Sequence, residues 1–340
     1  MNLRKLSECA LLTLACIVAS VMVQARAQAG NELWAHGNLF AWGVAPFDAK
    51  HRDPEEQARM LDRLGFRSIA YNWRNKNIPE FDTEIATLQK HHIRLIAWAL
   101  YVSDDPAVTI DWKKYNIDEF FESEGLARAK QHLSLVGLLE TFRRHGVTPE
   151  LWLIDLPKSQ LRDFPKTPAM QKRRIRQEAA RIAALVKLAE SYGVQVELYN
   201  HNGWIGMVQN ELDIITRLQE LGVHDVNMVY NFDHARDKMH DDTRSFPAVW
   251  AKIKTHVVAV NVSGTAEDPL HLYPSQGDRE LEMMRVIQQS GWRGPVGLNT
   301  ETGGDAEVTL RNCLRGLDWL AAELRQSGSG GPPPFPIKPH

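Results

Sequence analysis

Apolar positions along the chain fall into eight short runs, at residues 39–44, 67–73, 93–101, 150–156, 194–200, 225–232, 257–263 and 295–300. Their length and their β-branched and aromatic content predict strands. After each run apolar residues recur at three- and four-residue spacing, as over 57–64 and 209–221, which predicts amphipathic helices. Five of the returns from helix to strand share one punctuation: Leu64-Gly65-Phe66, His145-Gly146-Val147, Tyr192-Gly193-Val194, Leu221-Gly222-Val223 and Ser290-Gly291-Trp292. Glycine there accepts the left-handed backbone that closes a helix, and the apolar residue after it opens the strand. Asp53-Pro54-Glu55-Glu56 carries the opposite signal, an N-cap followed by a proline and early acids. Eight strand–helix units predict an α/β fold, a single-domain (β/α)8 TIM barrel. An open doubly wound sheet is the competing topology, but no Gly-x-Gly-x-x-Gly follows any strand.

A barrel of this kind carries its site on the C-terminal strand ends. Alternation along each strand places Asn72 and Arg74 at the end of the second, Asp155 on the fourth, and His201 beyond Tyr199 on the fifth. Asn231 and Asp233 end the sixth strand, followed by His234; Asn261 and Ser263 end the seventh, and Asn299 and Glu301 the eighth. Glu197 lies deeper, where a carboxylate reads as structural. Polar ends on nearly every strand exceed what a core needs. Trp42, Trp73, Trp98, Trp204 and Tyr230 fall near the same ends, with Trp98 a candidate face for stacking on a sugar ring. The run Lys172-Arg173-Arg174-Ile175-Arg176 reads as a solvated helix face.

Composition narrows the setting. The 340 residues carry 40 basic and 42 acidic side chains and are 44% hydrophobic, which fits a folded chain and gives no footprint for nucleic acid. Arg4 and Lys5 precede an uncharged apolar run over 10–23, and Ala25-Arg-Ala27 and Ala27-Gln-Ala29 follow as small-x-small sites. This is the layout of a secretory signal peptide, too short to span a bilayer, with cleavage expected after Ala29 or Ala27. Residues 1–29 are therefore read as signal, 30–326 as barrel domain and 327–340, rich in Gly and Pro, as a mobile tail. No membrane span is expected after cleavage. Export would leave Cys313 as the one cysteine, so no internal disulfide supports the fold.

The strand-end motifs are similar to those of the xylose isomerase-like barrels, the sugar phosphate isomerase/epimerase superfamily. The resemblance covers about residues 38–325 and rests on Leu198-Tyr-Asn-His-Asn-Gly203, Val229-Tyr-Asn-Phe-Asp-His234, Gly294-Pro-Val-Gly-Leu-Asn-Thr-Glu301 with Asp305-Ala-Glu307, and Leu310-Arg-Asn-Cys-Leu-Arg-Gly-Leu-Asp-Trp319. It implies a divalent metal (Mg, Mn or Zn) held by Glu, Asp, His and Glu on the last four strands. In this chain Tyr199, Asn231 and Asn261 stand at the first three of those positions, and Asn299 or Glu301 at the fourth. Neutral amides hold a hard cation weakly, so either no tightly bound metal or a displaced site from His201, Asp233, His234 and Glu301 is expected.

These readings converge on an exported carbohydrate-active enzyme whose substrate is an unphosphorylated sugar. It would move a proton next to a carbonyl, with Glu301 and His201 as acid and base and Asp155 or Asp233 assisting. Arg74 would orient a substrate oxygen; Asn72, Trp98, Asn231, His234, Asn261 and Asn299 would bind the sugar. A glycoside hydrolase or lyase using Asp155, Asp233 and Glu301 is a second expectation, and a non-catalytic sugar-binding barrel a third. The segment 103–130 is expected to cover the site.

Overall fold

A computed structural model of the chain describes residues 33–103, 109–123, 131–156, 164–236, 240–265 and 271–336, apart from the side chains of residues 122, 123, 155 and 156. The predicted cleavage sites and residues 337–340 lie outside them. Eight strands pair in sequence order and in parallel, and the eighth returns to the first to close the barrel. They are β1 Leu39–Trp42, β2 Ser68–Tyr71, β3 Arg94–Ser103, β4 Glu150–Leu156, β5 Val196–Tyr199, β6 Asn227–Asn231, β7 Val257–Val262 and β8 Val296–Asn299. One principal helix follows each: α1 Pro54–Arg63, α2 Phe81–Lys90, α3 Leu135–His145, α4 Pro168–Glu190, α5 Val208–Glu220, α6 Phe246–Ile253, α7 Glu280–Gln289 and α8 Ala306–Arg325. The topology is the (β/α)8 barrel that the apolar pattern predicts.

Local chemistry sets the boundaries. Asp53 and Glu56 form a reciprocal capping box at the start of α1, with Pro54 at the first helical position. Gly65, Gly146, Gly193, Gly222 and Gly291 all adopt positive φ, between 64° and 84°, so the five repeated junctions are left-handed turns.

The barrel interior is filled by aromatic rings. Trp42 lies 5.2 Å from Trp152 and 5.8 Å from Tyr199, ring centre to ring centre. Since β1 pairs with β2 and β8 alone, contacts from β1 to β4 and β5 must cross the interior. Gly297 makes room for this packing: a Cβ there would sit 1.9 Å from Asn261 Oδ1 and 2.5 Å from the Phe40 ring. Below the rings, toward the N-terminal strand ends, a cavity of about 540 Å³ is bordered by Gln89, Glu150, Trp152 and Gln195. Glu197 is buried on β5 and accepts from the Asn227 backbone N–H at 2.7 Å. Burial, with the Glu150 charge nearby, pushes its carboxyl up to about 8, so it is protonated at neutral pH.

Of the segment expected as a tail, residues 327–336 lie against α8. Glu323 accepts from the backbone N–H groups of Gly328 and Gly330, and Phe335 packs over Tyr273 and Arg315.

Candidate active site

The C-terminal strand ends build the mouth through one local device used twice. Asn231 Oδ1 accepts from the Asp233 backbone N–H, and Asn299 Oδ1 accepts from the Glu301 N–H, each at 3.0 Å. Each amide thus turns the chain just past its strand and sets an acid over the opening. Gly43 is the matching small residue just past β1. Its φ is 76°, and a Cβ there would press on Asn299 Oδ1 at 3.0 Å and Glu301 Cγ at 3.4 Å.

Asp233 and Glu301 meet a third group that parity along the strands does not reach. His271 Nδ1 lies 2.7 Å from Asp233 Oδ2. One ligand atom from each of Asp233, His271 and Glu301 lies within 4.8 Å of the others. Burial, then the Asp233 charge, pushes the Glu301 carboxyl above its usual range. His271 sits nine residues beyond β7, in the connection to α7, where no periodicity points to it.

Beside this group stands a polar chain from β2 and β3. Asn72 Nδ2 reaches Glu301 Oε1 at 3.4 Å, and Asn72 Oδ1 accepts from Tyr101 OH and from Arg74 Nη1. The Arg74 guanidinium is packed by the rings of Phe47, Tyr101 and Phe121, 4.9–5.4 Å from its carbon. Tyr101 is the second residue absent from the sequence-based site. In sequence a tyrosine inside an apolar run reads as core; in the structure it lies three residues past the outward Trp98 and so has the inward phase.

Below the acids, Tyr199 OH accepts from Asn231 Nδ2 at 2.8 Å and Asn261 Nδ2 at 3.2 Å. Burial and the Glu301 charge hold the phenol well above its usual range, so it is neutral. Asn261 Oδ1 and Ser263 Oγ are buried with no hydrogen-bond partner among the described residues. His201 and His234 face each other with ring centres 4.3 Å apart. His234 Nδ1 lies 3.1 Å from Asn202 Oδ1, so Nδ1 carries the proton and Nε2 keeps its lone pair. Burial, then His201, holds this imidazole well below the ordinary range.

The mouth thus gathers Asn72, Arg74, Asp233, Asn299 and Glu301, with His201 and His234 as a second pair and Tyr199, Asn231 and Asn261 beneath. Several expectations need correction. Asn231 gives its oxygen to its own turn and an N–H to Tyr199 and is fully buried, so it holds Asp233 and Tyr199 in place from beneath the mouth. Trp98 is fully buried among Tyr71, Phe81 and Phe142, in the layer between strands and helices. The reason is the length of β3: Trp98 is its fifth residue and five more follow. Trp42, Trp73, Trp204 and Tyr230 are also buried, as are Tyr101 and Phe121 beside Arg74, while Phe47 is half-buried. Arg174 is not solvated; it is buried with its guanidinium 4.2 Å from the Trp204 ring. The Asp155 side chain lies outside the described residues, and Trp152, of opposite parity on β4, is the residue found inside the barrel. In the segment after β3, Tyr115 OH donates to Tyr101 O at 2.8 Å and Trp112 Nε1 to Arg181 O at 2.9 Å. Both shield the wall of the barrel.

No protein-family model and no curated protein sequence matches the chain. Solved structures do. The 3-keto-D-glucoside 4-epimerase YcjR from E. coli is similar at 14% identity and a TM-score of 0.56, over 83% of this chain and 98% of that one. The IolI protein with a bound zinc atom is similar at 14% identity and 0.59, over 84% and 98%. An L-ribulose 3-epimerase is similar at 10% identity and 0.58, over 85% and 96%. At such identities the likeness is one of fold. The chain has the xylose isomerase-like TIM-barrel fold that its strand-end motifs resemble.

Proposed function

We propose that the protein is an exported enzyme of the isomerase or epimerase kind, which moves a proton beside the carbonyl of an unphosphorylated sugar. The observation that carries this reading is the meeting of Asp233, His271 and Glu301 beside Asn72, Arg74 and Tyr101. Two carboxylates and one imidazole within 4.8 Å make a donor set that suits a divalent transition metal. Asp233 and Glu301 lie two residues past the amides that stand at the family's ligand positions, so the set is displaced up the strands rather than lost. The residues fit the group: Asp233, His271 and Glu301 would hold the cation, and a bound cation supplies polarisation of a carbonyl oxygen.

The chain's own residues then divide the remaining work. Arg74, Asn72 and Tyr101 orient substrate oxygen from the opposite side. The His234 and His201 rings stand where a proton is taken and returned, with His234 Nε2 left as the basic atom by its Nδ1 bond to Asn202. Tyr199 and Asn261 offer hydrogen bonds to hydroxyls above the aromatic floor. The solved neighbours include sugar epimerases, in line with this reading. Export follows from the N-terminal pattern and argues against a phosphorylated substrate.

The test is solvent exchange. Keto sugars, 3-keto-glucosides among them, are incubated with the protein in D2O and followed by proton NMR. The wild type is expected to exchange the proton next to the carbonyl, and Glu301→Gln to slow that exchange ~100-fold or more. No exchange with any keto sugar would refute the proposal.

A further inference from the structure

We infer that the substrate carries a carboxylate, and that Arg74 is the residue that selects it. This rests on the reading of the mouth as a sugar site and names the class of sugar. Arg74 makes no ion pair among the described residues, whereas two arginines of neighbouring loops do. Arg52 pairs with Asp48 and Asp305, and Arg236 with Asp241. Every side-chain hydrogen bond of Arg74 among the described residues leaves from one guanidinium nitrogen to a neutral acceptor. Nη1 donates to Asn72 Oδ1 at 3.2 Å, to Trp73 O at 2.8 Å and to Tyr101 OH at 3.3 Å. Nε and Nη2 have no protein partner among the described residues, and together they form the edge of a guanidinium that grips a carboxylate with two parallel bonds.

The group is also held still. Phe47, Tyr101 and Phe121 pack around the guanidinium and fix its plane, so little side-chain freedom is lost when an anion binds. The Arg74 charge reaches Glu301 across Asn72 without a direct ion pair, so a ligand carboxylate on the free edge would be its contacting anion. The location supports a role in recognition. Asn72 alone separates the guanidinium from Glu301, so an anion on Arg74 lies one amide's breadth from the acids assigned to the reacting end. A planar, singly charged carboxylate matches one planar fork. A phosphate can also bind an arginine fork, and the sugar phosphate in the test below separates the two.

Calorimetric binding of matched pairs tests the inference: D-glucuronate against D-glucose, D-galacturonate against D-galactose, and D-mannuronate against D-mannose, with glucose 6-phosphate as the phosphate arm. At least one acid is expected to bind ten or more times tighter than its neutral partner and tighter than the sugar phosphate. Arg74→Gln should remove that preference, with a urea unfolding midpoint close to that of wild type to show that the variant folds. Arg74→Lys keeps the charge without the fork and should recover only part of it. The preference should persist in Glu301→Gln, so its presence there without proton exchange would separate a failure of the catalytic reading from a failure of this one. If no acid binds better than its neutral partner, including binding of neither, or if the phosphate binds best, the inference is overturned.

Discussion

Replacing Glu197 by Gln should make the protein more stable, and by an amount that depends on pH in a defined way. Glu197 is 1% exposed, accepts one backbone N–H and has Glu150 as its charged neighbour. Its carboxyl is pushed from 4.5 to about 8, so in the folded state it holds a proton that the unfolded chain releases. Below pH 4.5 both states are protonated and the residue has no pH-dependent effect. Between 4.5 and 8 the folded state binds more protons than the unfolded one, so stability falls as pH rises, by about 1.4 kcal/mol per unit. Above 8 the loss is complete, on the order of 4–5 kcal/mol by that slope across the window. Glutamine keeps a carbonyl to accept from Asn227 and cannot ionise. Urea unfolding of both proteins at half-unit steps from pH 4.5 to 9 gives the difference curve directly. It should rise through the window and level off near 8. Curves that stay parallel would refute the placement of a protonated carboxyl inside the barrel.

Other expectations follow from single contacts. Gly297→Ala puts a methyl group 1.9 Å from Asn261 Oδ1 and against the Phe40 ring, and should cost about 2 kcal/mol or more in urea unfolding. Cys313 is buried and its thiol is pushed up to about 12, so a thiol-specific reagent should leave it unmodified in native protein and react once urea unfolds the chain. Rapid labelling under native conditions would contradict that burial. Protein recovered from the extracytoplasmic fraction should begin near Gly30 by N-terminal sequencing; an intact Met1 there would contradict export.

The fold was legible because its signals repeat. Eight apolar runs, five glycine turns and one capping box each mark an element boundary, and neighbouring strands leave little freedom in where the next must lie. The site was legible only where strand alternation reaches. Asn72, Asp233 and Glu301 follow from their distance past a strand end. His271 does not, since a nine-residue connection after β7 brings it back to Asp233. Trp98 misled for the opposite reason: the β3 run continues to Ser103, so a residue that looks close to the strand end sits at its middle. The buried Arg174 shows a further limit, because a basic run on a helix does not reveal which of its members meets a ring on a neighbouring loop.

The functional account turns on Asp233, His271 and Glu301 acting as one centre, and zinc titration tests this most directly. Chelator-treated wild-type protein, titrated calorimetrically with Zn(II), should bind one equivalent. His271→Ala should bind at least ~10-fold more weakly, since one of three ligands is gone, while Asn261→Ala, which removes an amide bonded to Tyr199 and to none of the three ligands, should retain one equivalent. Wild-type protein that binds no zinc, or a His271→Ala variant that binds it as tightly as wild type, would contradict the account.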